Sequence, residues 1–402
     1  MASEGMISSK LIKDILVSVG IPLFLFICFM VYRQIKKARE KRYEEVTDLR
    51  DMPEDGPRAG YVGRIAETDR KTFVELDELT RHVLVAGATG SGKTVASQAI
   101  VEEALERGVS AVVFDPTAQW SGFLRPNKDA GMFRLYGTFG MNKNDSRAFK
   151  GNIYTVTNPN ETINVMKHVI PGGITIFCLN RLDPKDIETI VENSVKEVFR
   201  ANLPESKELK LMIVYEEVHR LLPKFGGRGS GFIQVERACR EFRKWGIGLV
   251  LVSQVLSDFV GEIKANIGTE IQMRTRYEDD LNRVRAKYGE QAQHDIIKVN
   301  VGTGMVQNGN YNRGKPYFVS FRPLKHNHSR LSDEELAKYN NYNAVLDELK
   351  TKVDEMKRTK DVFELEIELG LVRDNLMKGS FDVVDMYLET LKPKILEEYD
   401  KK

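Results

Sequence analysis

Cysteine is scarce in this chain of 402 residues, which contains three. Cys28, Cys178 and Cys239 are far apart, and their spacing matches neither a disulfide framework nor a zinc site. Cys28 and Cys178 each lie within an apolar run. The pattern therefore predicts buried, reduced thiols in a reducing compartment.

A net charge is almost absent as well, because 60 basic residues stand against 58 acidic ones, which gives +2. Such a balance provides no bulk attraction to nucleic acid, so a DNA-binding surface has to be local. Base-reading motifs are also missing, and the basic loops lack the interleaved aromatic residues that stack on single strands. The composition therefore favours sequence-independent contacts with the DNA backbone.

The most informative stretch is residues 87–94, which read Gly-Ala-Thr-Gly-Ser-Gly-Lys-Thr. An apolar run precedes this stretch and a helical pattern follows it, which is the context of a phosphate-binding P-loop. Glycines let the backbone N–H groups point at phosphate oxygens, and the helix N-terminus adds partial positive charge. The sequence therefore predicts a nucleotide site. Its predicted residues are Gly87, Ala88, Thr89, Gly90, Ser91, Gly92, Lys93, Thr94 and Val95.

Five side chains carry the predicted chemistry. Lys93 is placed to reach the β- and γ-phosphates of ATP, and the Thr94 hydroxyl to hold Mg²⁺. Glu216 and Glu217 end a buried apolar run, where carboxylates face a P-loop. We expect Glu216 in the metal shell and Glu217 as the residue that orients or deprotonates the attacking water. Gln254 ends the next run and is expected to sense the γ-phosphate by hydrogen bonding.

Apolar runs alternate with helical segments through the centre of the chain. The runs expected to form strands are residues 83–86, 110–114, 174–179, 211–215 and 247–252. Helices are expected at residues 93–107 and 183–199. Because strands buried on both faces read as continuous apolar runs, the pattern predicts an α/β fold with a mostly parallel sheet. A hairpin is expected at residues 61–76, and two returning strands at 300–304 and 316–321.

The N-terminal region contains an uncharged run at residues 15–32 with basic residues on both sides. Its length predicts a transmembrane helix. The heavier positive charge follows the run, so residues 1–14 are expected outside and the ATPase domain in the cytoplasm. Residues 33–60 would form a charged stalk and linker. A cleaved signal peptide and a buried soluble helix are the alternatives.

Residues 326–402 form a helical C-terminal region by their sequence pattern. Apolar residues at helical spacing between 339 and 356 indicate a coiled-coil seam or one face of a helical hairpin. Two further helices are expected at residues 362–377 and 381–396. The region is either a helical cap on the ATPase core or a docking module for a protein partner.

Four segments occur in an order that is typical of one family. They are residues 88–94, the Phe-Asp-Pro sequence at 114–116, the Tyr-Glu-Glu-Val-His-Arg-Leu-Leu-Pro sequence at 215–223, and residues 240–254. Together they resemble the motifs of the HerA/FtsK superfamily, which includes conjugation coupling proteins and viral packaging ATPases. Glu216 stands where most P-loop motors carry aspartate. The resemblance covers residues 63–325, and the ATPase domain is expected at 61–325.

This resemblance implies a RecA-like core in a hexameric ring, with ATP at each subunit interface and DNA drawn through the central hole. It also implies an arginine from the neighbouring subunit, because charge develops on the γ-phosphate in the transition state. We expect Arg243 in that role, with Arg240, Arg274 and Arg276 as alternatives. For the DNA contact, the glycine-rich basic loop at residues 224–231 suits a pore loop or a plain surface loop. Residues 140–150 are a second candidate.

The expected function is a membrane-anchored, Mg²⁺-dependent ATPase that pumps DNA for transfer, segregation or packaging. An ATPase that powers protein secretion or pilus-type assembly is the alternative, and an ATP-gated scaffold is a third possibility. The first would respond to DNA, the second to a secretion partner, and the third would not need hydrolysis.

Overall fold

The structure is a computed structural model. It describes residues 19–39, 43, 47–221, 229–255 and 261–400. The chain divides into two compact units, residues 1–45 and residues 46–402. The second unit contains the P-loop and the acidic pair.

Helix α1 (Ile21–Arg39) is the helix described in the first unit. The prediction of a transmembrane helix at residues 15–32 is wrong, and so is the single-pass membrane location with a cytoplasmic ATPase domain. No helix in the described part of the chain is long and apolar enough to cross a membrane. The uncharged part of α1 extends from Ile21 to Tyr32, where basic residues begin. It is shorter than the roughly 20 apolar residues that a membrane span needs. Residues 15–18 lie outside the described residues.

The cysteine prediction is only partly right. Cys178 and Cys239 are buried and free, as expected. Cys28 is exposed on α1, so the apolar run around it does not bury its thiol. Burial raises the pKa of the Cys239 thiol to about 12, and a neutral thiol is a poor nucleophile.

One sheet organises the second unit, and eleven strands belong to it among the described residues. The strands are β1 (Ala59–Ile65), β2 (Lys71–Glu75), β3 (Val83–Ala86), β4 (Ser110–Asp115), β5 (Gly151–Thr155), β6 (Ile174–Cys178), β7 (Ser206–Tyr215), β8 (Trp245–Ser253), β9 (Thr269–Met273), β10 (Thr303–Asn308) and β11 (Tyr317–Phe321). Their order across the sheet is β2-β1-β11-β10-β9-β3-β8-β7-β4-β6-β5. The predicted hairpin corresponds to β1 and β2.

Helices connect the strands and extend beyond them. They are α2 (Lys93–Glu106), α3 (Ala130–Tyr136), α4 (Pro184–Arg200), α5 (Val218–Leu221), α6 (Ser230–Glu241), α7 (Gly261–Lys264), α8 (Glu278–Tyr288), α9 (Glu290–Lys298), α10 (Asp333–Met356), α11 (Phe363–Met377) and α12 (Phe381–Asp400). Ser332 caps α10 by accepting a hydrogen bond from the backbone of Glu335, which fixes where this helix begins.

The sheet has a parallel part and an antiparallel part. Strands β9, β3, β8, β7, β4, β6 and β5 run parallel to one another. Strands β10, β11, β1 and β2 extend the sheet beyond β9 in antiparallel pairs. The two strands predicted at residues 300–304 and 316–321 therefore belong to this antiparallel extension, as β10 and β11. In the parallel part all strand C-termini lie at one edge of the sheet, which is where ligands bind in such sheets.

Both faces of the parallel part are covered. Along β3, Val83 and Val85 pack into one hydrophobic cluster, while Leu84 and Ala86 pack into the other. This alternation follows from the two-residue period of a strand. The first cluster includes residues of α2 and the C-terminal helices, and the second includes residues of α4 and α6. The continuous apolar runs of the sequence therefore correspond to strands buried on both sides.

The C-terminal helices cover β5, which is the edge strand of the sheet. Asn343 of α10 donates a hydrogen bond to the carbonyl oxygen of Ile153 at 2.8 Å, and Asn340 accepts one from the N–H of Thr155 at 2.8 Å. Asn343 and Asn152 also exchange side-chain hydrogen bonds of 2.8 and 3.0 Å. An uncovered strand edge exposes unpaired backbone groups, so α10 protects this edge.

Candidate active site

The P-loop occupies the turn between β3 and α2. Gly90 and Gly92 adopt left-handed backbone angles, with φ of 74° and 99°. A Cβ atom on Gly92 would come within 2.9 Å of the backbone nitrogen of Gly302. Glycine is therefore required at position 92 both by its backbone conformation and by the close approach of a second chain segment.

Two neighbouring segments hold the P-loop in place. The N–H of Ala88 donates to the carbonyl oxygen of Arg274 at 2.9 Å, just after β9. The N–H of Gly302 donates to the carbonyl oxygen of Ser91 at 3.0 Å, just before β10. The loop conformation thus depends on segments far from it in sequence.

The end of β7 brings the acidic pair to this loop. Thr94 Oγ1 donates a hydrogen bond of 3.0 Å to Glu216 Oε1. Lys93 Nζ lies 3.2 Å from Glu217 Oε1. The order of the parallel strands explains this meeting, because only β8 separates β3 from β7 and all three end at the same edge.

Glu216 is almost completely buried, with 1% of its surface exposed. Its second oxygen, Oε2, accepts a hydrogen bond of 3.1 Å from the indole Nε1 of Trp120. Burial, together with the nearby carboxyl groups of Asp115 and Glu217, raises the pKa of Glu216 to about 8. Because its negative charge is so poorly compensated, a bound cation would be stabilised here.

Glu217 has an unusual backbone for a residue that is not glycine, with φ of 51°. Strained backbone of this kind clusters at functional sites, where the surrounding structure enforces it. It turns the side chain of Glu217 towards Lys93. His219 Nδ1 lies 3.2 Å from the other oxygen, Oε2, and gives Glu217 a second neighbour.

Gln254 and the arginine candidates lie at different places. Ser253 pairs with Ala86, so Gln254 follows β8 at the same edge as the P-loop. Arg274 and Arg276 follow β9 at this edge too. Arg240 and the exposed Arg243 precede β8, at the opposite edge, and Arg240 forms an ion pair with Glu236 at 2.7 Å. The structure does not bring Arg243 to the P-loop of its own chain.

Of the two candidate DNA-binding loops, the structure describes residues 140–150 in full and residues 224–231 only in part. Most of the loop at residues 224–231, up to residue 228, lies outside the described residues. In the segment at residues 140–150, Lys150 forms an ion pair with Asp374 at 2.9 Å and Arg147 one with Glu106 at 3.3 Å. Only part of the positive charge in that segment is therefore available to an outside ligand.

Trp120 and His219 were missed as site residues by the sequence reasoning. His219 lies in the segment that carries the family resemblance, two positions after Glu217, so its place near the site was open to inference. Trp120 lies 96 residues from Glu216 in sequence, and nothing in its neighbourhood signals the contact.

The residues at the P-loop fit ATP with Mg²⁺. Ser91 Oγ is buried and has no hydrogen-bond partner among the described residues, and no atom lies within 4 Å of the position that a Cβ on Gly90 would take. These features leave donors and room for phosphate oxygens. The Thr94 hydroxyl and the Glu216 carboxylate are oxygen ligands of the kind that Mg²⁺ prefers.

Comparison with family models gives a match over part of the chain. Residues 60–223 match the family model described as the central domain of helicase HerA. A comparison with curated protein sequences found no match.

Similar solved structures have low sequence identity. The genome packaging NTPase B204 from Sulfolobus turreted icosahedral virus 2, in complex with ATP-gammaS, is 12% identical, with 60% of this chain and 97% of that chain covered and a TM-score of 0.40. VirB4 of Thermoanaerobacter pseudethanolicus is 12% identical, with 68% and 98% covered and a TM-score of 0.44. The pCW3 conjugation coupling protein TcpA is 16% identical, with 76% and 75% covered and a TM-score of 0.38. At these values the matches carry no argument about function.

The family match spans the P-loop, Trp120 and the acidic pair, which the fold gathers at one edge of a mostly parallel sheet. This part of the chain is therefore similar to the central domain of helicase HerA, and its residues fit ATP with Mg²⁺.

Proposed function

We propose that this chain is an ATP-driven motor that moves DNA through a ring of its own copies. The observation that carries the proposal is the meeting of Lys93 and Thr94 with Glu217 and Glu216 at one sheet edge. The family match supports nucleic acid as the substrate, because the matching model is named for a helicase. In this proposal residues 61–325 form the ATPase domain and residues 326–402 a helical region attached to it.

Hydrolysis in this site needs an activated water. Glu217 takes a proton from the water molecule while the water oxygen attacks the γ-phosphorus. The bond between the γ-phosphorus and the bridging oxygen breaks, and ADP leaves with that oxygen. Lys93 neutralises charge on the β- and γ-phosphates. Thr94 and Glu216 would hold Mg²⁺, which would supply positive charge to the phosphate oxygens. The ion pair between Lys93 and Glu217 couples phosphate binding to proton transfer, because a bound phosphate would compete with Glu217 for Lys93 and release the carboxylate.

Two further residues complete the proposed site. Gln254 senses the γ-phosphate from the end of β8. Arg243 acts on the nucleotide of a neighbouring copy, because the nine residues of β8 keep it roughly 30 Å from the P-loop edge of its own chain. Arg243 is exposed, which such a role requires.

ATP hydrolysis measured with and without double-stranded DNA tests the proposal. We expect DNA to increase the hydrolysis rate several-fold, with strong dependence on salt, because the contacts are to phosphates. Lys93→Ala should abolish hydrolysis under both conditions. Hydrolysis that persists at the same rate in Lys93→Ala would overturn the site assignment.

If the rate of ATP hydrolysis does not change with DNA at any salt concentration, the DNA assignment is overturned and a protein substrate is favoured. The proposed ring is tested separately by light scattering of the Glu217→Gln protein with ATP. A mass several times that of one chain is expected, and a monomer under all nucleotide conditions would contradict the ring.

A further inference from the structure

Trp120 contacts the candidate metal site directly and is completely buried. The indole of tryptophan has one hydrogen-bond donor and no acceptor. In this structure that donor, Nε1, lies 3.1 Å from Glu216 Oε2. Because Thr94 donates to Glu216 Oε1, each carboxylate oxygen has one neutral donor of its own.

The position of Trp120 is fixed from two directions. Its backbone N–H donates to the buried carboxylate of Asp115 at 2.8 Å. Its ring stacks on Phe123, with ring centres 5.4 Å apart and planes within 1° of parallel. Phe123 in turn stacks on His326 at 3.7 Å. The indole N–H therefore has a defined direction towards Glu216.

The length of the Glu216 side chain explains why such a donor is useful. Glutamate has one more rotatable bond than aspartate, so its carboxylate has more positions available. A metal ligand loses affinity when its carboxylate is not held by outer hydrogen bonds. The alternative is that Trp120 contributes only packing, in which case phenylalanine at this position would leave the affinity for Mg²⁺ unchanged.

We propose that Trp120 is a positioning residue for the Mg²⁺ site, whose indole N–H holds the carboxylate of Glu216 beside Thr94. The inference rests on the proposed function, because it requires that Thr94 and Glu216 hold Mg²⁺. This chain thus combines a glutamate at the proposed metal position with a tryptophan donor that fixes the carboxylate.

The test is Trp120→Phe, which keeps an aromatic ring for stacking on Phe123 and removes the donor. Binding of a fluorescent ATP analogue is measured as a function of Mg²⁺ concentration. We expect the half-saturating Mg²⁺ concentration to rise roughly tenfold or more, since outer-shell partners change metal affinity by about 10–100-fold. Binding of the analogue without Mg²⁺ should stay within about twofold, because the P-loop is unchanged.

The second tryptophan provides the matched control. Trp245 stands at the start of β8 and packs against Phe199 and Phe242, away from the P-loop. Trp245→Phe should leave the Mg²⁺ dependence unchanged. An equal shift in both variants would show a general packing effect and overturn the proposal.

A second background separates positioning from packing. The shorter side chain of Glu216→Asp does not reach both donors, so Trp120→Phe should add little in that background. An unchanged Mg²⁺ dependence in Trp120→Phe, or the same shift in the Glu216→Asp background, would overturn the inference. If the parent protein binds the analogue without any response to Mg²⁺, the proposed metal site itself fails.

Discussion

Lys93 Nζ lies 3.2 Å from Glu217 Oε1, and this ion pair joins the P-loop to the end of β7. Both side chains are largely shielded, with 7% and 12% of their surfaces exposed. The pair lies across β8, between residues more than a hundred positions apart, so the folded sheet creates it. It places the candidate base next to the group that would bind phosphate.

Glu217→Gln is therefore expected to separate binding from hydrolysis. Glutamine has nearly the same shape but is a far weaker base, so hydrolysis should fall by roughly 10²–10⁴-fold. ATP binding should persist, because Lys93 and the loop remain. Steady-state hydrolysis and equilibrium binding of an ATP analogue measure the two quantities.

Glu208→Gln is the matched control for this change. Glu208 is an exposed residue near the start of β7, at the end of the strand remote from Glu217. Its replacement should alter neither quantity. Full hydrolysis in Glu217→Gln would assign the proton transfer to another group.

A buried charge cluster connects the P-loop helix to the segment that follows β11. The guanidinium of Arg322 contacts Glu102 at 2.6 Å and Glu103 at 2.7 Å, and both carboxylates belong to α2. Burial alone would raise the pKa of Glu102, but Arg322 and His326 hold it well below its usual range. Arg322→Met removes the guanidinium shared by the two carboxylates; Glu103 keeps Lys325 and Arg107, but Glu102 keeps only His326 and backbone donors among the described residues. The free energy of unfolding, measured with denaturant, should therefore fall by about 3–5 kcal/mol.

A second change distinguishes this explanation from a packing defect. Glu102→Gln added to Arg322→Met removes one unpaired charge and should restore part of the lost stability. Arg200→Met, at a residue with 71% of its side chain exposed, should cost less than about 1 kcal/mol. A double variant that is less stable than Arg322→Met alone would argue against unpaired charge as the cause.

The sequence predicts much of the parallel sheet, because β3, β4, β6, β7 and β8 are continuous apolar runs. Strand β9 was not predicted from the sequence. It contains Glu270 and Gln272, and its burial depends on partners that the sequence does not reveal. Arg283 contacts Glu270 through two hydrogen bonds of 2.8 and 2.6 Å, and this pairing makes a buried glutamate tolerable.

The candidate site divides in the same way. The P-loop and the acidic pair are recognisable because each has local sequence features and both lie at strand ends. The donor on Trp120 and the carbonyl of Arg274 that holds the loop depend on the fold alone. The transmembrane prediction failed because the uncharged run, read as one continuous span, does not lie in a described helix that is long and apolar enough to cross a membrane.

The docking of α10 on the edge of β5 gives a third prediction. Asn343→Ala removes hydrogen bonds to Asn152 and to the carbonyl oxygen of Ile153, both of which are then left without this donor. The free energy of unfolding should fall by about 1–3 kcal/mol. Asn341→Ala, at an exposed position on the same helix, should have little effect. Equal stability of the two variants would show that the asparagine contacts do not hold the helix in place.

His82 gives a prediction for the dependence of stability on pH. Its buried ring lies between β8 and α6, where the N–H of Leu249 donates to Nδ1 at 3.0 Å and Nε2 lies 2.9 Å from the carbonyl oxygen of Cys239. Both nitrogens are satisfied when the ring is neutral, with its proton on Nε2. Burial, reinforced by the charge of Arg243 and opposed by the Cys239 carbonyl, lowers the pKa of His82 to about 4.

Because this pKa is lower in the folded state than the unfolded value of about 6.5, the stabilising contribution of neutral His82 is complete above pH 6.5. It is lost as the pH falls towards 4, where the unfolded chain has taken up the proton, and the loss reaches about 3 kcal/mol. His82→Asn removes the titration. Between pH 7 and pH 4, the free energy of unfolding of His82→Asn should fall by about 3 kcal/mol less than that of the parent.

His294→Asn, at an exposed residue on α9, should follow the parent curve. Parallel curves for the parent and His82→Asn would mean that the pKa of His82 is the same in the folded and the unfolded protein.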